Sequence, residues 1–379
     1  MRHHRYHAHP LLLALIPTLL VAACGDSITG PQADSCGPGP YLSVLPLPEV
    51  DLASVPVFGG MDAPGHVLPT PHGGLFSDRD NVPLRAPADI AVTHLRRVRL
   101  SGPGVPAGDE DYAIFFQICE ELTGWFGHVV TLSPRFSPET VDYTNCETYS
   151  VPHAQVESCE ATGLDIKVSA GDDLGTFDGV VDMGMTDTRV TNFYVSPERV
   201  GGLSHAVCMW EQFTAPLQAL LFSKLRDIAR PHVVPTGEPR CGTMEVDVSG
   251  TAKGVWAEIG VGPVAGDERG YIALANYPYR PQMELVLSLG PERLGARAAI
   301  VPKVVTGRVN VPFEDVTPDG LIYCYGPEVE RGSTNSWLLQ LTSETELTIE
   351  WLAHSPGASP CEDDAASWTF SGAAAAMVR

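Results

Sequence analysis

What most restricts the fold of this chain is its punctuation. Short runs rich in β-branched and aromatic residues alternate with Gly, Pro, Asn and Asp turn signals, and one stretch alone sustains a 3.6-residue apolar repeat. The 37 glycines and 33 prolines, set against 18% charged residues, suit short strands joined by turns rather than long helices. At 379 residues the chain can bury more than one core, so a mainly β protein of two domains is expected.

Between Met61 and Pro197 the strand candidates are Ile90 to Leu100, Tyr112 to Cys119, His128 to Leu132, Ile166 to Val168 and Val180 to Met185, a barrel or sandwich pattern. Gly124 to Gly127 is read as a Gly-aromatic turn leading into His128. The helix is predicted over Val207 to Arg230: Leu217, Leu220, Leu221, Leu225 and Ile228 share a face, and Thr214 and Pro216 suit its start. Lys224, Arg226 and Arg230 suit its negative end, and Pro231 stops it. Strands return after Cys241, at Met244 to Val248, Tyr271 to Asn276, Met283 to Leu289, Ala298 to Val305, Leu321 to Tyr325, Trp337 to Leu341 and Leu347 to Trp351.

The amino terminus reads as an export signal. Arg2 and Arg5 precede an apolar run from Leu11 to Ala23, too short to remain as a spanning helix. It ends Val21-Ala22-Ala23-Cys24, which resembles the lipobox of bacterial lipoproteins. That resemblance implies cleavage before Cys24, lipid on its thiol and anchorage to a membrane of the cell envelope. The Pro-rich stretch that follows, to residue 60, is expected to be a tether.

The charge is −22, from 24 basic and 46 acidic residues, and Lys and Arg cluster nowhere beyond Arg96, Arg97 and Arg99, so no nucleic-acid partner is expected. Beyond Cys24 stand eight cysteines: an even number in an exported chain, without a Cys-x-x-Cys pair, predicts disulfides rather than a zinc site. Proximity favours Cys146 with Cys159 and Cys324 with Cys361.

Four segments follow one another in an order that resembles the lysostaphin-type zinc metallopeptidases, which include the LytM-like peptidoglycan endopeptidases. They are Pro71-His72-Gly73-Gly74-Leu75-Phe76, Val82 to Asp89, Trp125-Phe126-Gly127-His128-Val129 and Val168 to Gly175, within a span from Gly65 to Asp187. The resemblance implies a duplicated hybrid motif, a β-barrel or sandwich-like fold. It also implies a zinc held by His-x-x-x-Asp and the second His of a His-x-His strand, leaving room for a water that attacks an amide. His72 matches the first ligand, but Phe76 stands where the carboxylate is required. The His-x-His strand falls on Val180 to Met183, which puts Asp182 at the last ligand position, and His128 matches the catalytic histidine. Gly202-Leu203-Ser204-His205-Ala206 looks superficially like a nucleophile elbow but lacks the final Gly and the α/β strand series.

The expected organisation is a signal peptide over residues 1–23, a tether over 24–60, a degenerate LytM-like domain over 61–200, a helical connector over 201–240 and a C-terminal β-sandwich-like domain over 241–379. The expected function is that of an envelope lipoprotein whose peptidase-like domain has lost catalysis and serves as a binding or scaffolding module. Peptidoglycan or an envelope protein would be its partner, and no cofactor is expected. One alternative is a divergent zinc peptidoglycan endopeptidase using His72, His128 and Asp182. Another is a purely structural lipoprotein that assembles through its C-terminal domain.

Overall fold

Period-two alternation of apolar residues builds the first half of the molecule. In this computed structural model, which describes residues 34–102, 110–151, 154–264, 266–329, 334–355 and 357–379, eleven strands lie before residue 190. They are β1 (His72–Phe76), β2 (Val82–Arg85), β3 (Ile90–Ser101), β4 (Glu110–Cys119), β5 (Leu122–Val129), β6 (Thr131–Leu132), β7 (Asn145–Val151), β8 (Ala154–Ala161), β9 (Ile166–Val168), β10 (Asp173–Phe177) and β11 (Val180–Asp187). The export run and Cys24 lie outside the described residues.

The main sheet has the antiparallel order β1-β11-β5-β4-β3-β8-β7, with β9 also beside β3, and β2-β10-β6 form a small second sheet. Leu75, Val92, Leu95, Ile114, Phe116, Phe126, Met183 and Met185 are buried on one face. The alternate residues His72, His94, Phe115, Trp125 and Asp182 are half-buried on the other.

Two short helices follow, α1 (Pro197–Val200) and α2 (Ala215–Ser223). Eight more strands, β12 (Gly254–Glu258), β13 (Tyr271–Asn276), β14 (Glu284–Leu289), β15 (Arg297–Pro302), β16 (Tyr323–Tyr325), β17 (Asn335–Ser343), β18 (Glu346–Ala353) and β19 (Ala375–Val378), make a separate sheet. Its order is β15-β14-β13-β12-β19-β18-β17-β16, and it curls into a nearly closed barrel. Just after β16, the Val329 N–H donates to the Ile300 carbonyl of β15 at 2.7 Å, joining the two edges. Trp256, Ile272, Leu274, Leu287, Trp337 and Ile349 point into the barrel. Val255, Ala257, Tyr271, Ala273 and Ala275 alternate with them and join the core of the first sheet, so the two units pack face to face.

The eight described cysteines form four disulfides: Cys146–Cys159 and Cys324–Cys361 as expected, with Cys36–Cys119 and Cys208–Cys241.

Several expectations are corrected. The Pro-rich stretch does not act as a tether throughout: Leu42, Leu47, Leu52, Val55, Val57 and Phe58 are buried in the main core. Burial of that many apolar side chains is a favourable term that a free linker lacks. Gly124 to Gly127 is no turn but the middle of β5, and the strand expected over His128 to Leu132 is broken between Val129 and Thr131. The predicted helix shrinks to α2. Upstream, Leu42 donates to the Gln212 carbonyl and accepts from Thr214, which holds Phe213 extended. Downstream, the Lys224 carbonyl accepts from Val55 rather than from the next turn, and Ile228 is exposed. Residues of the connector pack into the core, with Met209, Trp210, Phe213 and Leu225 buried. Met244 to Val248 is not a strand; the Glu245 and Asp247 carboxylates accept from the Phe193 and Val195 N–H groups.

Candidate functional site

Three adjacent strands bring His72, His128 and Asp182 together on the solvent side of the main sheet. Asp182 on β11 lies opposite Gly74 of β1 and Gly127 of β5. With no side chains on those two neighbours, the carboxylate sits in a notch that the flanking histidines close. The Asp182 Oδ2 is 3.5 Å from His72 Nε2 and 3.3 Å from His128 Nε2.

His128 occupies a special backbone position. The β4–β5 register shifts between Tyr112 and Ile114, and His128 has φ 61°, a left-handed conformation uncommon for a residue with a Cβ. That twist aims Nδ1 at Asp111 Oδ2, 2.8 Å away, while Nε2 faces Asp182. The hydrogen bond to Asp111 and the contact with Asp182 outweigh burial and push the imidazole up to about 10, so it is a cation at neutral pH. Burial pushes the Asp182 carboxyl up, but the bond to His128 and the neighbouring imidazoles outweigh it and hold the group below its ordinary range.

Behind His72 stands His66, in the turn closed by the Asp62–His66 backbone pair, with the two rings 4.9 Å apart and edge to face. Burial first, and the adjacent His72 second, lower His66 to about 4, and burial also lowers His72. Both are therefore neutral at physiological pH, and the Nδ1 of His72 is buried without a hydrogen-bond partner. The His66 turn is tied to the barrel by Glu268, whose Oε2 accepts from the Val67 N–H at 2.6 Å and the Leu68 N–H at 2.8 Å.

Alongside this cluster a row of rings crosses the sheet. The register sets His72 opposite Gly184, Gly184 opposite Trp125, Trp125 opposite Phe115 and Phe115 opposite His94. A Cβ on Gly184 would fall 2.3 Å from the Trp125 Nε1, and one on Gly127 would fall 2.9 Å from the far edge of the indole. The indole therefore lies along the strand surface over two glycines. Ring centroids are 5.1 Å apart for His72 and Trp125, 6.4 Å for Trp125 and Phe115, and 4.6 Å for the stacked His94 and Phe115.

As placed, these residues do not fit the zinc set that the resemblance implies. Phe76, at the carboxylate position, folds its ring over Gly74, where a Cβ would meet it at 2.7 Å. Among the described residues, the clusters with three His, Cys, Asp or Glu ligand atoms mutually within 4.8 Å are Cys36, Cys119, Glu121 and Cys208, Glu211, Cys241. Each contains a disulfide, whose sulfurs are not thiolates. His72, His128 and Asp182 meet pairwise at one carboxylate oxygen instead of around a common centre.

All three residues singled out in the sequence thus meet at one place, with His72 in strand β1. Sequence reasoning missed Asp111, His66, Trp125, Phe115 and His94. Gly-x-x-Gly spacing around Trp125 was the available signal for the indole; the bulge that brings in Asp111 left none. The Gly202 to Ala206 stretch is a 3-10 turn whose His205 Nδ1 bonds to the Val190 carbonyl at 2.6 Å, which does not make a nucleophile elbow. No helix among the described residues is long and apolar enough to cross a membrane. No protein-family model, curated protein or solved structure matches the chain.

Proposed function

We propose that this chain is an exported envelope lipoprotein in which a lysostaphin-type domain serves as a binding module without metal-dependent hydrolysis. The observation that carries the loss of catalysis is the pairing of His128 with both Asp111 and Asp182. His128 is engaged there by two carboxylates, and Phe76 stands where the carboxylate ligand is required. The Val21 to Cys24 lipobox and four disulfides support export, and the four-segment resemblance supports peptidoglycan as the partner. In this reading the partly exposed face around Asp182 and Trp125 contacts the ligand, with the barrel packed behind the sheet as its support.

Co-sedimentation of the full chain with purified cell-wall sacculi tests this. The reading expects enrichment in the pellet over an unrelated acidic lipoprotein and no soluble fragments released. Release of fragments, or no enrichment, would overturn it.

One observation favours a second reading, a divergent zinc peptidase. The 3.5 Å and 3.3 Å separations of His72 and His128 from Asp182 are close to the edge of a zinc tetrahedron with ligand bonds of about 2.0–2.1 Å. Asp111 behind His128 also resembles the carboxylates that orient ligating histidines. This reading requires the two imidazoles to draw together around an ion, which metal analysis detects directly.

A further inference from the structure

We propose that the ring row across the main sheet is a saccharide platform, with Trp125 its stacking surface and the Asp182 and Asp111 carboxylates its hydrogen-bonding edge. The inference rests on the binding-module reading and names the ligand chemistry. Three observations carry it.

The first is the pose of Trp125. Gly184 and Gly127 leave no Cβ beneath it, so one face of the indole rests on the backbone, and the residue stays partly exposed. A flat aromatic face accepts the axial C–H face of a sugar ring, which is apolar, while hydroxyls at the ring's edge remain free to hydrogen-bond. Second, those hydroxyls meet suitable partners: the Asp182 and Asp111 carboxylates are acceptors, held on either side of His128 at 3.3 Å and 2.8 Å from its two ring nitrogens. Third, the row extends from β1 through β11, β5 and β4 to β3, four strand spacings or about 19 Å, so it suits an elongated ligand.

Other occupants fit less well. An extended peptide would add to a strand edge, but the edge of β1 beside the site is already bridged by Ala53 and Ser54, which bond to the Phe76 carbonyl and N–H. A nucleic acid is opposed by a net charge of −22. A purely apolar partner would strand the Asp111 and Asp182 carboxylates away from water.

Isothermal titration of the full folded chain with chitotetraose, and with cellotetraose as a second glycan, tests the proposal. Saturable binding of at least one is expected, weakened about tenfold or more by Trp125→Ala and unchanged by Phe193→Ala at an exposed aromatic elsewhere. Gly184→Ala provides an independent variant: it keeps the indole but forces it off the strand, and should weaken binding to a similar extent. Binding of neither oligosaccharide, or equal binding by wild type and both site variants, would overturn the proposal. A chain that still sediments with sacculi but binds neither oligosaccharide refutes the saccharide platform while leaving the broader binding reading in place.

Discussion

His128 and Asp111 are joined by a 2.8 Å hydrogen bond across a break in the β4–β5 register, and that contact is the largest influence raising the His128 imidazole. It depends on a left-handed backbone at His128, a conformation that costs a non-glycine residue energy and persists where the surroundings compensate.

The first prediction concerns that charge. His128 is raised from an ordinary value near 6.5 to about 10. Its contribution to stability is therefore fully present below about 6.5 and is lost as pH rises through about 10. Histidine NMR should show His128 still protonated at pH 8, and Asp111→Asn should return it toward 6.5. An imidazole titrating near 6.5 in the wild-type protein would refute the assignment.

Restoring the lost carboxylate should change the site's chemistry. Phe76→Asp places a third anionic or imidazole donor on the β1 face beside His72 and Asp182, and should raise zinc affinity above that of the natural chain. Burying part of a carboxylate should also lower stability by about 1–3 kcal/mol in the absence of metal. Calorimetric titration with zinc, in parallel with thermal unfolding, measures both effects.

Glu268 should matter to the site although it belongs to the barrel. Glu268→Ala removes the acceptor for the Val67 and Leu68 N–H groups, and leaving those partly buried donors unsatisfied should cost about 1–3 kcal/mol. Hydrogen exchange should accelerate first at residues 66–68. If exchange there is unchanged, the tie between the barrel and the His66 turn is not significant.

The Cys36–Cys119 bridge spans 83 residues of sequence and attaches the amino-terminal segment to the end of β4. Closing so long a loop restricts the unfolded chain strongly, so Cys36→Ser with Cys119→Ser should lower stability by about 2–4 kcal/mol. Denaturant unfolding of the oxidised wild type and the double variant gives the difference.

The reasons some elements were legible and others not differ from residue to residue. β3, β4 and β13 announce themselves because each is a sustained β-branched or aromatic run bounded by turn signals. β1 does not: His72-Gly73-Gly74 has turn composition, yet Gly73 is required because a Cβ there would strike the buried Trp210 ring at 2.7 Å. The helical repeat over Val207 to Arg230 overstates α2 because Phe213 and Leu225 are apolar for pairing with Leu42 and Val55, not for a helix face. The same pairings explain why a Pro-rich stretch resembling a tether is structural. At the site, motif order located His72, His128 and Asp182, since all three lie on neighbouring strands of the sheet. Asp111 arrives through a bulge and His66 through a loop held by Glu268, more than two hundred positions away, and neither leaves a local trace.

Metal content tests the central claim most directly. The chain should be exported or refolded with zinc present, then analysed by elemental analysis beside a His72→Ala variant. If the site is a binding surface whose charge is supplied by the His128 imidazolium, both proteins will contain zinc far below one atom per chain. One zinc per wild-type chain, absent from His72→Ala, would contradict that account and make the domain a working metal centre.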